Sequence, residues 1–239
     1  MDISLAPKIL FEVVGFPITD TIWVSWFVTL VLIFSAWWVR RNLKEIPSGL
    51  QHIWEIVVEG GYDFILGIVG GSHNKARKVF PLVATLFLFI LVSNILAFVP
   101  GLSAISLNGT SIYRTATSDY NLVFALTIIS LIIVQVVALF TGGVVKYFKK
   151  FFNFNGPIDF FMGIMDIISE FARVISLSFR LFGNIFAGEV LATVVYFFVP
   201  YIIPLPFALL SLLASVIQAA VFSILVLIFI NMAVVEEVA

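Results

Sequence analysis

The chain has 239 residues, 62% of them hydrophobic and only 11% charged, with a net charge of −1. Soluble domains carry about 25% charged and 45–50% apolar residues, so this composition excludes a soluble protein and predicts a single integral membrane domain over residues 1–239. It contains no basic block suited to nucleic acid, and the absence of cysteine excludes disulfides and thiolate metal sites.

Residues 1–20 lack the basic start and small-residue cleavage site of a signal peptide. With Asp2, Glu12 and Asp20 among apolar positions they read as an interfacial or extramembrane lead-in. The first span is expected at about 21–39, where Trp37 and Trp38 mark the headgroup level. Arg40, Arg41 and Lys44 follow at once and place that end in the cytoplasm. Segment 47–70 repeats Glu55, Glu59 and Asp63 at a spacing of four, with Ile53, Val57 and Ile68 between them. One acidic and one apolar face predict an amphipathic helix lying in the interface rather than a span. His73, Lys75, Arg77 and Lys78 keep the next loop cytoplasmic, as a non-crossing segment requires. His52 and His73 form no metal-ligand pattern.

Pro81 is expected to open the second span, 79–99, with Asn94 near its outer end and Pro100-Gly101 as its stop. The loop from Leu102 to Tyr120 is rich in Ser, Thr, Asn and Gly, carries the single basic residue Arg114, and reads as external. The third span, 120–142, returns the chain to Lys146, Lys149 and Lys150. Residues 157–199, between Pro157 and Pro200, amount to about twice the length a ~30 Å hydrocarbon core needs. A hairpin breaking at Gly183-Asn184 would leave a short second span. One long tilted helix keeps every backbone group bonded, as lipid demands, and is the favoured reading. Pro200, Pro204 and Pro206 make the next turn, and 207–233 is the last helix, ending at Glu236-Glu237. The fold class is therefore all-α, with five membrane-embedded helices, one interfacial helix and a long tilted pair. Basic residues collect on one side, and Lys8 and Arg114 fall on the other. By the positive-inside rule the N-terminus is outside and the C-terminus cytoplasmic.

The polar residues inside the membrane carry the functional signal. Within SLSFRLFGNIFAGE (Ser176 to Glu189), Arg180 interrupts an apolar helix. A charge at bilayer depth costs roughly 2.5–3.5 kcal/mol on insertion scales, and a guanidinium cannot shed its proton to escape that cost. Asp166, Arg173 and Arg180 lie seven apart and share a helix face, which Asn184 joins one turn on. Ser176, Gly183 and Ala187 flank Arg180 with almost no side chain, so a neighbouring helix surface can approach closely. Glu189 is about half a turn out of phase. On the last helix Ser211, Ser215 and Gln218 form a polar stripe that could face the long helix.

Bland alternatives stand beside each feature. Arg180 could pair with Asp166 or Glu170, and Arg173 could make a local ion pair with Glu170. Gln218 and the serines could serve only as interhelical glue, and Glu189 could be a merely satisfied carboxylate. Together, charges and amides in one bundle without nucleophile, metal motif or phosphate loop suit ion conduction and not bond-breaking chemistry or a bound cofactor. The competing class, a secondary transporter with a midplane solute site, expects internal repeats that this sequence lacks.

At SLSFRLFGNIFAGE the sequence resembles subunit a of F-type ATP synthases, the stator of the membrane motor. Supporting likeness runs through VFPLVATLFLFILVSNILAFVPG, TSDYNLVFAL and SVIQAAVFSILVLIFI. The resemblance implies a non-catalytic, proton-translocating subunit in a bacterial cell membrane. Its implied partners are a ring of c subunits, the b subunits of the peripheral stalk, the rest of the F1Fo complex and lipid. It makes Arg180 the arginine facing the ring, in two offset aqueous half-channels, with Asn184, Gly188, Glu189 and Gln218 on the family's other motif positions. Asn94, Asp119, Asp166, Glu170, Arg173, Ser176, Ser211 and Ser215 are candidates to line the channels. Two departures stand out. Many relatives have Lys-Pro at Arg173-Val174, and some bacterial ones have a histidine where Ser211 stands, which leaves Glu189 without that titrating partner.

Overall fold

The computed structural model describes residues 9–13, 16–47, 49–99, 106–107, 110–111, 114–142, 157–199 and 203–238, and these described residues form six α-helices. Two short antiparallel ribbons accompany them, β1 (Ile9–Val13) with β2 (Phe16–Thr19) and β3 (Ser106–Leu107) with β4 (Thr110–Ser111). Asp2, Lys8, Pro100, Gly101, Lys146, Lys149, Lys150 and Pro200, which entered the sequence reading, lie outside the described residues.

Helix α1 (Asp20–Arg41) starts at Thr19, whose hydroxyl accepts from the Ile22 N–H at 3.4 Å. Asp20 in its first turn and Arg40 and Arg41 in its last complement the helix dipole. Val24 and Val28 pack on the bundle, whereas Trp23, Trp26, Trp37 and Trp38 stay exposed, as suits a helix bordered by lipid. Helix α2 (Leu50–Ile68) exposes Glu59 and Asp63 and buries Ile65 against Ala76, Val83 and Leu227. It is not one of the five helices among the described residues that are long and apolar enough to cross a membrane. Gln51 staples it to the preceding linker, accepting from Lys44 N at 3.0 Å and donating to Lys44 O at 2.9 Å. Gly70 (φ 71°) and Gly71 (φ 74°) then turn the chain in the left-handed region that side chains avoid.

Helix α3 (His73–Ala97) begins six residues before the expected 79, and Pro81 sits inside it rather than at its head. Lys75, Arg77 and Lys78 are good helix formers. Proline removes a single backbone donor, and Thr85 bonds back to the carbonyls of Pro81 and Leu82 at 2.8 and 2.9 Å. A 3-10 turn (Ala116–Ser118) precedes α4 (Tyr120–Gly142). Helix α5 (Pro157–Phe198) runs unbroken for 42 residues through Gly183 and Asn184, so the chain makes the long helix and not the hairpin. Helix α6 (Pro204–Val238) starts three residues before the expected 207 and runs through Glu236 and Glu237. Pro204 and Pro206 fall in its first turn, where N–H groups have no intrahelical partner to lose.

Helix α6 is the hub, touching α3, α4 and α5. The main core joins Leu86 and Ile90 of α3, Val123 and Val134 of α4, Leu177 and Leu181 of α5, and Phe222 and Val226 of α6. Asn94, three residues from the end of α3, meets Ser215, eleven residues into α6. The first turns of α6 therefore outrun the end of α3 by about 12 Å of helix. A bilayer that fits α3 can contain α6 and the ~63 Å of α5 only if the pair runs obliquely.

Candidate functional site

Arg173 and Arg180, two turns apart on α5, line one open recess of about 430 Å³ between α5 and α6, with Ser169, Ser176, Leu225 and Phe229. Their surroundings differ sharply. Arg173 donates to Glu170 at 2.7 Å, and its guanidinium lies over the Phe229 ring at 4.9 Å. Arg180 is exposed and, among the described residues, makes no hydrogen bond or ion pair. The local alternative of pairing with Glu170 fails because Glu170 is spent on Arg173. Asp166, half-buried one turn earlier, has no partner among the described residues and is not part of the recess. The arrangement offers one bare, permanent cation able to hold a carboxylate from another chain and unable to carry a proton.

Beyond Arg180 the two helices close on each other. Asn184 donates to the Ala214 carbonyl at 3.1 Å. A Cβ at Gly188 would stand 2.8 Å from Ser211 Oγ and 3.1 Å from Ser211 Cβ, so any side chain here would have to displace Ser211. Ser215 gives its hydroxyl proton to Ser211 O at 2.6 Å. Gln218 is 7% exposed, and its Nε2 has no partner. Asn184 thus bonds across the helix pair and Ser211 packs across it at Gly188, whereas the Ser215 hydroxyl is spent within α6 and Gln218 retains an unspent donor in the bundle.

A second polar assembly sits at the bundle end away from Arg40 and Arg41. Fully buried Asn94 donates to Ser215 O at 3.2 Å and accepts from Thr117 Oγ1 at 2.6 Å. Asp119 caps α4 through Asn121 N at 3.0 Å and accepts from Thr21 Oγ1 at 2.8 Å, which ties α4 to α1. Glu189 faces the hydroxyls of Thr115 and Ser118, with the Arg114 guanidinium beside them. Sequence reasoning missed Arg114, Thr115, Thr117 and Ser118. The available signal was the cation and hydroxyl run RTATS immediately before a helix cap. Among the described residues no group of three His, Asp or Glu side chains could hold a metal ion.

A multi-pass membrane protein whose long helix carries a guanidinium that no described residue neutralises is the class these features define. The chain belongs to the ATP synthase A chain family, whose model matches residues 22–231. Proteins named ATP synthase subunit a resemble it over most of their length. The one from Moorella thermoacetica is 32% identical, with 94% of each chain covered. That from Geotalea uraniireducens is 34% identical over 89% of this chain and 86% of its own. The Helicobacter hepaticus protein is also 34% identical, over 88% and 87%.

Proposed function

We propose that this chain is the proton-translocating, non-catalytic stator subunit of a rotary F-type ATP synthase. The single observation that carries the reading is Arg180, exposed on α5 and without a counter-charge among the described residues. A ring of c subunits lies against the α5–α6 face, and b subunits of the peripheral stalk and the remaining F1Fo complex complete the assembly. The basic end with Arg40 and Arg41 faces the cytoplasm of a bacterial cell, the N-terminus lies outside, and the C-terminus inside.

A ring carboxyl group in lipid holds its proton, because desolvation disfavours the anion. Beside Arg180 the anion is favoured, and the proton leaves by one half-channel. A fixed cation between two offset half-channels also blocks a direct leak. The outer path runs past Glu189 and Gln218, with Asn94 and Asp119 holding its walls. The inner path opens at the recess lined by Ser176 and Arg173, with Glu170 held beside it by Arg173 and Asp166 below. Each proton crossing 100 mV delivers about 2.3 kcal/mol, so several pass for every ATP made elsewhere in the complex.

The test uses membrane vesicles carrying the whole complex. Arg180→Ala is expected to abolish ATP-driven acidification while passive proton permeability persists; an actively pumping variant refutes the role. Co-purification of the parental chain with an oligomeric ring of two-helix subunits separates the motor from a solute transporter.

A further inference from the structure

We propose that Arg114 is the positioning residue of Glu189: the turn Arg114–Ser118 supplies the fixed charge and hydroxyls that aim this carboxylate into the outer half-channel. The inference rests on the reading of Glu189 as the access-path carboxylate. It starts from an anomaly of burial. Loops of polar composition normally run over the surface, yet Thr115, Ala116, Thr117, Ser118 and Asp119 are between 0% and 5% exposed. The turn is a plug set among α1, α3, α4 and α5. Asn94 holds it through Thr117 at 2.6 Å, and Thr21 holds it through Asp119 at 2.8 Å.

Within this plug the polar groups have a fixed order. Arg114 Nε donates to Ser118 Oγ at 3.2 Å and its Nη2 to Ser118 O at 3.4 Å. Ser118 Oγ in turn donates to Thr115 O at 2.9 Å. The Ser118 hydroxyl is therefore held from both sides, and it faces Glu189 with Thr115 and the guanidinium. The opposite helix offers no titratable partner, since Ser211 there is packed against Gly188. A guanidinium cannot exchange protons, so its part is to orient and stabilise the carboxylate rather than to relay.

The experiment is a double-mutant cycle on ATP-driven proton pumping in vesicles carrying the complete complex. Arg114→Gln is expected to slow pumping about tenfold, the effect of losing one fixed charge beside the carboxylate, and Arg114→Lys to recover much of that loss. In a Glu189→Gln background, Arg114→Gln should add no further loss, because the carboxylate it orients is gone. A merely structural arginine would slow both backgrounds by the same factor, and that result, or parental pumping by Arg114→Gln, overturns the proposal. If Arg114→Gln fails to co-purify with the ring, Thr115→Val and Ser118→Ala complete the cycle under the same criteria. Normal pumping by Glu189→Gln sinks the half-channel reading itself, whereas a slow Glu189→Gln with an unaffected Arg114→Gln sinks only the positioning role.

Discussion

Arg173 and Arg180 share a helix, a face and a recess, yet one is consumed and the other is bare. Glu170 lies one turn before Arg173, and Phe229 of α6 covers its guanidinium, so that charge is spent inside the subunit. The turn before Arg180 presents Ser176 and Leu177, and the residues after it are apolar or small until Asn184, which is committed to Ala214 O. The lesson is that membrane depth alone does not identify a working charge. What separates the two arginines is whether the fold supplies a counter-ion: among the described residues Arg173 has one and Arg180 has none.

Several substitutions can break or sharpen that contrast. The largest effect is expected from Arg180→Ala, with no measurable ATP-driven pumping, while Arg173→Met in the same assay keeps most of it. Equal losses in the two variants would erase the distinction. Next come changes to the frame that presents Arg180. Asn94→Leu leaves Thr117 and the Ser215 carbonyl without their buried partner, at about 1–3 kcal/mol for each orphaned group, and should lower the thermal stability of the purified complex. Gly188→Ala forces the α5–α6 crossing apart at a cost of about 1–3 kcal/mol, read as reduced recovery of the chain with its ring. Glu170→Gln should have a smaller effect. Freeing a second guanidinium in the recess sets up a competitor for the ring carboxylate, and the partly exposed pair it breaks is worth ~1 kcal/mol or less, so pumping should fall a few-fold. Arg173→Met on top of Glu170→Gln should then restore the rate, since the competitor has been removed.

Much of the fold was legible because its signals are local. Runs of apolar residues long enough for lipid announce spans, and acids repeated every four residues announce an interfacial helix. The same logic misplaced two helix starts. Proline was read as a boundary at 81 and at 204–206, whereas a membrane helix such as α3 accommodates an interior proline and the first turn of α6 has no intrahelical bond for it to break. The site was legible in part. Arg180 and Glu189 stood out by residue type and Gly188 by the family resemblance, but the neighbours of Glu189 lie some seventy residues earlier in a stretch that reads as an ordinary outer loop.

From the sequence alone came the membrane class, the oblique length of α5, the unavoidable charge of Arg180 and the small residues around it, since composition and periodicity act within one segment. Only the tertiary structure decided that Glu170 belongs to Arg173, that Ser211 is pressed on Gly188, and that Thr115 through Asp119 is a buried plug beside Glu189. Those pairings depend on which helix faces meet, and that is set by packing the whole bundle at once, beyond the reach of any local pattern.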